Sequence, residues 1–237
     1  MIEPLLRFYL VILLALLMMI SYLYFGFTQS NYQKISHHSF CQTLLNKGLW
    51  GEYRIFTALE SCTRPYYILT NLYLPRKDNT TTEIDLIFIN ETGLFVIESK
   101  NYAGWIYGDE KQKYWTQVFG KQQKFRFFNP IWQNAAHLNA LKEQLPNEYK
   151  ESLYSFIVFN NQCELKNVHL TSANLTVIKR KQLKEKIKHF QYKNRQTLTE
   201  TQINQIACSL QPFTHLEQKI KEAHIERIKK KKQTTVK

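Results

Sequence analysis

The chain has 237 residues, of which 44% are hydrophobic, enough for one folded domain with extensions at its ends. Its formal charge of +13 is uneven, because residues 179–237 hold 16 Lys and Arg against 5 Asp and Glu. A basic segment of this kind suits nucleic acid or an anionic membrane surface. The four cysteines form no Cys-x-x-Cys pair, which argues against a zinc site or a disulfide scaffold.

The first element in the chain is an uncharged apolar block, residues 8–27. Twenty helical residues span about 30 Å, the thickness of a bilayer core. A cleaved signal peptide, the alternative, has a shorter apolar region of about 7–15 residues. We therefore predict one N-terminal transmembrane helix in a single-pass protein of the cell membrane. Arg7 and Lys34 flank the block almost evenly, so we expect a cytoplasmic domain only because nucleic acid is abundant there.

Hydrophobic periodicity and turn residues predict the elements that follow. Helical spacing covers 40–45 and 52–60, and a helix begins at Asn129-Pro130 and runs to about Gln144. Predicted strands lie at 66–74, 83–89, 94–100, 105–107, 114–119, 124–128, 155–159 and 174–178. From residue 181 the pattern is helical and basic. We predict an anchor over 1–30, one α/β domain over 31–180 and a basic helical tail over 181–237.

Two charged residues at the end of a buried strand suggest chemistry. Residues 94–97 are apolar, and Glu98 and Lys100 follow on one face of the strand. A salt bridge with no function is one explanation. The other is a metal-dependent phosphodiesterase site, in which carboxylates hold Mg²⁺ and a cation lies near the attacking water or the scissile phosphate.

A second carboxylate is available in the preceding predicted strand. Asp85 interrupts an apolar run there, and a short Asn-Glu-Thr-Gly link joins the two strands. Because the link predicts a hairpin, Asp85 and Glu98 are expected to meet across it. Two such carboxylates would repel each other without a cation.

These residues belong to a wider pattern that resembles the nuclease-related domain, or NERD, within the PD-(D/E)XK nuclease superfamily. The resemblance rests on four segments in the family's order: Gly51-Glu52, Thr81-Thr-Glu-Ile-Asp85, Gly93-Leu-Phe-Val-Ile-Glu-Ser-Lys-Asn-Tyr-Ala-Gly-Trp-Ile-Tyr-Gly108, and Asn129-Pro-Ile-Trp-Gln-Asn134 with His137. Ile84 stands where the superfamily usually has proline. The resemblance covers roughly residues 46–145.

The resemblance implies a fold and a set of roles. The fold would be α/β, a restriction-endonuclease-like mixed central sheet flanked by helices. Asp85 and Glu98 would bind Mg²⁺ or Mn²⁺, and Lys100 would orient the water and stabilise charge at the phosphate. Glu52 would complete the metal or water shell, and Gln133 would touch the site or a backbone phosphate.

Three further features are open to more than one interpretation. His137 lies one helical turn after Gln133, but a lone helical histidine is more often structural. The aromatic and basic stretch 114–128 either stacks bases or packs inward. The run Lys229–Lys232 would bind nucleic acid non-specifically or lie on anionic lipid.

These inferences give one expectation and two alternatives. The expected protein is a membrane-anchored, metal-dependent nuclease that hydrolyses phosphodiester bonds, with DNA as the expected substrate and residues 8–27 in the membrane. The alternatives are a catalytically inactive nucleic-acid-binding module and a membrane scaffold whose basic tail docks on lipid or a partner.

Overall fold

The computed structural model describes residues 2–78, 80–120, 123–172, 174–193, 197–214 and 226. Its α-helices are α1 (Ile2–Gln29), α2 (Tyr32–Ser36), α3 (Phe40–Leu45), α4 (Lys47–Glu60), α5 (Pro130–Gln144), α6 (Leu183–Lys193) and α7 (Glu200–Leu210). Its strands are β1 (Tyr66–Pro75), β2 (Thr81–Asn90), β3 (Gly93–Lys100), β4 (Gly104–Asp109), β5 (Tyr114–Phe119), β6 (Gln123–Phe128), β7 (Leu153–Phe159), β8 (Cys163–His169) and β9 (Leu175–Lys179). The run Lys229–Lys232 lies outside the described residues.

The larger sheet is mixed and has the strand order β1-β2-β3-β7-β9. β1, β2 and β3 form an antiparallel meander, whereas β7 and β9 run parallel to β3. A parallel neighbour requires a crossover, and α5 supplies it between β3 and β7. The expected mixed α/β architecture with flanking helices is confirmed.

The structure has a second mixed sheet where we expected a single central one. Its order is β6-β5-β4-β8, and β8 is parallel to β4. We did not predict β8, because only Cys163 of its seven residues is buried and it lacks the apolar run of a core strand. The smaller sheet packs through Trp115 and Ile106 against Phe159 of the larger one.

Helices cover both faces of the larger sheet. α5 and α7 pack on one face, and α4 and α6 pack on the other. α6 contributes Leu183 and Ile187, and α7 contributes Ile203 and Leu210, all of them buried. The first part of the predicted tail therefore supplies side chains to both hydrophobic cores.

The N-terminal helix α1 is long and apolar enough to cross a bilayer. Its span from Glu3 to Gln29 has a mean hydropathy of 2.4, and only 6% of its apolar window is buried within the protein. Length and composition are the whole of this observation, and a signal sequence shares them.

The last turn of α1 is fixed to the folded domain by aromatic side chains. The fully buried Phe27 ring lies 5.5 Å from that of Phe40 and 5.3 Å from that of Tyr53, measured between ring centroids. Just beyond the helix, the Glu60 carboxylate accepts hydrogen bonds from Ser30 Oγ at 2.6 Å and from the Asn31 amide at 2.9 Å. Phe27 thus packs in the domain core rather than at a membrane interface.

Truncating Phe27 should weaken this junction. Phe27→Ala removes a fully buried ring, and we expect a loss of about 3–5 kcal/mol in the free energy of unfolding. Phe25→Ala is the matched control, because Phe25 lies two residues earlier and is 64% exposed. Thermal unfolding of the full chain in an uncharged detergent measures both; equal melting temperatures for the two variants would contradict the junction.

Candidate active site

The site lies where β2 and β3 separate. Their last paired residues are Leu86 and Ile97, so Asp85 and Glu98 occupy the next positions on the two strands. Asp85 Oδ2 accepts a hydrogen bond from the Ser99 amide at 2.8 Å, in place of a backbone partner. On the other side of β2 the pairing skips Asn71, which has a positive φ of 54°. The interrupted pairing leaves the Asp85 side chain at a gap between strands.

Glu98 is buried and makes two strong contacts. Its Oε1 lies 2.5 Å from Lys100 Nζ and its Oε2 lies 3.0 Å from His137 Nε2. Burial raises the pKa of Glu98, but Lys100 and His137 outweigh that effect and hold the pKa below its usual range. Glu98 is therefore a carboxylate, although only 1% of the residue is exposed.

Lys100 links the two elements that form the site. Strand alternation places it on the face of Glu98, and its Nζ also donates to Gln133 Oε1 at 3.1 Å. Burial lowers the pKa of Lys100, but Glu98 and then Asp85 raise it above the usual value overall. The ammonium group stays charged and is held between β3 and α5.

The first turn of α5 places Gln133. Asn129 caps the helix by accepting from the Ile131 amide at 2.9 Å, and Pro130 occupies the first turn. The Asn129 side-chain amide also donates to three carbonyl groups of the segment before β5, including that of Gln112 at 2.7 Å. The start of α5 is thus fixed to the smaller sheet.

His137 belongs to this cluster, although its sequence pattern favoured a structural role. One turn after Gln133, it is buried and bridges two strands. Its Nδ1 lies 2.7 Å from Thr82 Oγ1 on β2, and its Nε2 contacts Glu98 on β3. The four-residue spacing from Gln133 was the available signal. A histidine in this place orients the Glu98 carboxylate.

Glu52 approaches from α4, on the other side of the sheet. Within the described part of the chain its buried Oε2 has no hydrogen-bond partner. Burial, then Glu83 and Glu98, raise the pKa of Glu52 to about 8. Burial, then Glu98 and Glu52, likewise raise the pKa of Asp85 well above its usual value, and Lys100 opposes this only in part. The carboxyl groups here outnumber the cations that balance them.

The predicted site residues therefore differ in how closely they associate. Glu98, Lys100 and Gln133 are in direct contact. Asp85 lies beside them through its bond to the Ser99 amide, and Glu52 acts on Asp85 through its charge.

The donor atoms fit one kind of metal ion better than another. Among the residues that the structure describes, no three Asp, Glu, His or Cys side chains converge as a ready-made metal cage. The described residues therefore form no zinc cage of four protein ligands. Mg²⁺ instead binds through one or two carboxylates and keeps several waters. Asp85 and Glu98 are the two carboxylates that would hold such an ion, whose charge would relieve the excess of carboxyl groups.

A narrow cavity opens beside Lys100 towards α4. It is lined by Gly51, Asn101, Asn160 and Arg180 among others. Burial, and then the charge of Arg54, lower the pKa of Arg180, so the two guanidinium groups lie near each other. Neither forms an ion pair with any residue that the structure describes. Sequence patterns did not identify Arg180, because it lies outside every motif.

The raised pKa of Glu52 predicts a pH dependence of stability. A folded-state pKa of about 8, against an ordinary value of 4.5, means that the folded chain binds the proton more tightly than the unfolded chain. Stability from this group is fully present below pH 4.5 and is lost as the pH rises through 8. We therefore expect Glu52→Gln to raise the melting temperature relative to the unmodified chain at pH 8.5, and to do so much less at pH 5.

The measurement is thermal unfolding at both pH values, with a chelator present to remove metal ions. Glu185→Gln, an exposed position on α6, is the matched control. If Glu52→Gln changes the melting temperature by the same amount at pH 5 and at pH 8.5, the raised pKa of Glu52 is contradicted.

Comparisons with known proteins bear on this site. The family model of the nuclease-related domain matches residues 47–160, which include the five predicted site residues and His137. An uncharacterised protein of Bacillus anthracis is 39% identical over 138 residues, covering 56% of this chain. The chain spans 61% of the length of that curated relative. No solved structure matches the chain.

Proposed function

Residues 47–160 match the model of the nuclease-related domain family, and from this match we propose that the chain is a membrane-anchored, divalent-metal-dependent nuclease. It hydrolyses phosphodiester bonds, and DNA is its substrate. The observation that carries the proposal is the charged Lys100 ammonium held between Glu98 and Gln133, with Asp85 at the adjoining gap between strands.

Each residue has a role that follows from its contacts. Asp85 and Glu98 would hold Mg²⁺ or Mn²⁺, which would polarise a phosphate oxygen and lower the pKa of water. Because its pKa is raised, Lys100 carries its proton; it donates hydrogen bonds to the attacking water or the phosphate and stabilises the developing negative charge. Gln133 orients Lys100 through the bond between Oε1 and Nζ.

Two further residues act on the water and on the ligands. Glu52 Oε2 has no hydrogen-bond partner in the described part of the chain and is available to accept a hydrogen bond from the attacking water. His137 fixes the Glu98 carboxylate and is itself held by Thr82. Such supporting hydrogen bonds hold a metal ligand in a single orientation.

The helix α1 anchors the protein in the cell membrane, and the folded domain lies on the cytoplasmic side. The exposed apolar surface of α1 and the junction at Phe27, which fixes the end of the helix to the domain, support the anchor. The cytoplasmic side is proposed because nucleic acid is abundant there. Nucleic acid is the expected partner on that side.

Two other functions remain as competing hypotheses. A catalytically inactive nucleic-acid-binding module would lack part of the acid and lysine set, whereas this chain has all five predicted residues. A membrane scaffold with a basic docking tail would have no need to bury a charged pair such as Glu98 and Lys100, which is costly to desolvate.

A cleavage assay tests the proposal. The full chain in uncharged detergent is incubated with supercoiled plasmid, single-stranded DNA and RNA, in Mg²⁺, Mn²⁺ or EDTA. We expect Asp85→Asn to lower the cleavage rate by about 100-fold or more, because it removes a metal-binding charge yet leaves an oxygen to accept from the Ser99 amide. Asp78→Asn, on an exposed loop, is the control and should cleave normally.

The outcomes separate the three functions. Cleavage by Asp85→Asn at the unmodified rate would overturn the site assignment. Tight binding in both Mg²⁺ and EDTA without cleavage would favour the binding module. Liposome binding by a peptide of the basic tail, with no nucleic-acid affinity in the full chain, would favour the scaffold.

Arg180 should contact a phosphate of the substrate. Because it lines the cavity that reaches Lys100 and has no ion-pair partner among the described residues, Arg180→Gln should weaken DNA binding. It should also make the salt dependence of binding shallower, by about one released counterion. Fluorescence anisotropy with a labelled oligonucleotide at several salt concentrations measures both quantities. Lys181→Gln, at the exposed neighbouring position, is the control. Equal effects of the two changes would mean that Arg180 attracts DNA only as one of many surface charges and contradict a specific phosphate contact.

A further inference from the structure

The hairpin formed by β5 and β6, residues 114–119 and 123–128, is here named the wing. β5 joins the wing to β4, and β6 is the outermost strand of the smaller sheet among the described residues. Gln123, Lys124, Phe125 and Arg126 are all exposed. An edge strand with two exposed faces is a surface that a partner can reach.

One face of the wing carries a row of aromatic rings that ends beside Lys100. At its inner end, Trp115 is fully buried and Phe127 packs on Tyr102, with 4.8 Å between ring centroids. Tyr102 follows Lys100 by two residues, and its backbone amide donates to the Lys100 carbonyl oxygen at 2.9 Å. Farther out on the same face, Phe125 is 53% exposed.

Phe119 extends the same face on β5. It is 44% exposed, and the pairing of Phe119 with Gln123 and of Gln117 with Phe125 places all four on that side of the wing. Gln117 Nε2 donates to the Ala103 carbonyl oxygen at 2.7 Å, which brings this face against the segment that follows Lys100. The exposed rings and the site are therefore joined by a continuous surface.

The charge of the wing is of one sign. Residues 111–128 contain five Lys and Arg and no Asp or Glu. Lys124 and Arg126 alternate with Phe125 and Phe127 along β6, and the Arg126 guanidinium lies 5.0 Å from the centre of the Tyr114 ring. Because alternate residues of a strand point to opposite faces, Lys124 and Arg126 project from the face opposite Phe125, and the two faces meet at the outer edge of β6. Single-stranded nucleic acid binds where cations and exposed aromatic rings lie together, through phosphates and stacked bases.

Building on the proposed nuclease activity, we propose that the wing binds an unpaired strand of nucleic acid and leads it to Lys100. The strand runs along the outer edge of β6, where its bases stack on Phe119 and Phe125 on one face and its phosphates bind the long side chains of Lys124 and Arg126 from the other face. In a duplex the bases already stack on one another and present no free face to a ring, so the wing selects unpaired strands.

An anionic bilayer would also attract aromatic and basic side chains. The aromatic row argues for a nucleic acid instead, because it runs from exposed Phe125 through Phe127 and Tyr102 to a nearly buried ammonium. A flexible strand can follow that path, whereas a planar lipid surface cannot.

The test measures binding rather than cleavage. The full chain carrying Asp85→Asn, in uncharged detergent, is titrated into a labelled 20-nucleotide oligothymidylate and into a duplex of equal length, with anisotropy as the readout. We expect Phe119→Ala/Phe125→Ala to weaken binding of the single strand about tenfold or more, because stacking on both rings is lost. Duplex binding should change less than twofold.

Trp105→Ala is the matched control. Trp105 is 46% exposed and lies on the face opposite Phe119 and Phe125, since it pairs with Val118, and its strand β4 is two strands away from the edge strand β6. We expect it to leave single-strand binding unchanged. Equal losses for Trp105→Ala and the double variant, or none for the double variant, would overturn the wing proposal.

A second measurement tests lipid as the occupant. The Phe125→Trp chain is reconstituted in vesicles with brominated acyl chains, which quench indole fluorescence at the membrane. We expect no more quenching than in the chain without this change; additional quenching at residue 125 would place the wing on the bilayer and overturn the proposal.

Failure of the wing and failure of the nuclease give different results. If the chain with Asp85 never cleaves but the double variant loses single-strand binding, the nuclease proposal fails and the wing remains. If that chain cleaves, and the double variant cleaves single and double strands in the unchanged ratio, the wing fails and the nuclease remains.

Discussion

The structure around the site depends on one buried carboxylate. Glu98 lies at 1% exposure and remains charged only because Lys100 and His137 contact its two oxygens. A buried charge without partners would cost several kcal/mol, so these contacts constrain everything nearby. They tie β3 to α5, and Thr82 extends the link to β2. The register of the hairpin and the position of α5 are thus coupled through polar contacts as well as through the apolar core.

The gap in the sheet has a comparable role. Backbone pairing of β2 with β3 stops at Leu86 and Ile97, and Asp85 takes the Ser99 amide as its partner. In a regular ladder the backbone beyond these residues would have continued to pair between the two strands. Around the separated strands, carboxyl groups outnumber cations. Burial and the repulsion between these carboxyl groups raise the pKa values of Glu52 and Asp85. Such an excess of carboxyl groups destabilises the protein alone, but it favours the binding of a cation and the chemistry proposed here.

Helix α4 connects this site to the N-terminal helix. It carries Glu52 on one side, and its next residue, Tyr53, packs against Phe27 at the end of α1. Gly51 lets α4 approach β3 closely, since a Cβ there would lie 2.9 Å from that of Asn101. Helix α4 therefore carries both Glu52 and the contact with the end of α1, which links the proposed membrane attachment to the position of the proposed site.

The sequence by itself determined the strands of the larger sheet, the hairpin that faces Asp85 with Glu98, and the start of α5, because these depend on local periodicity, turn residues and capping. The roles of the five predicted site residues stay a prediction, whereas the α/β fold is observed and residues 47–160 match the model of the nuclease-related domain family. Only the tertiary structure decided that His137 contacts Glu98, that Arg180 reaches the cavity beside Lys100, and that the short strands form a separate sheet. His137 and Glu98 are 39 positions apart, and the residues that β4 pairs with in β8 are 59 or more positions away; no local pattern encodes which distant residues a fold brings together.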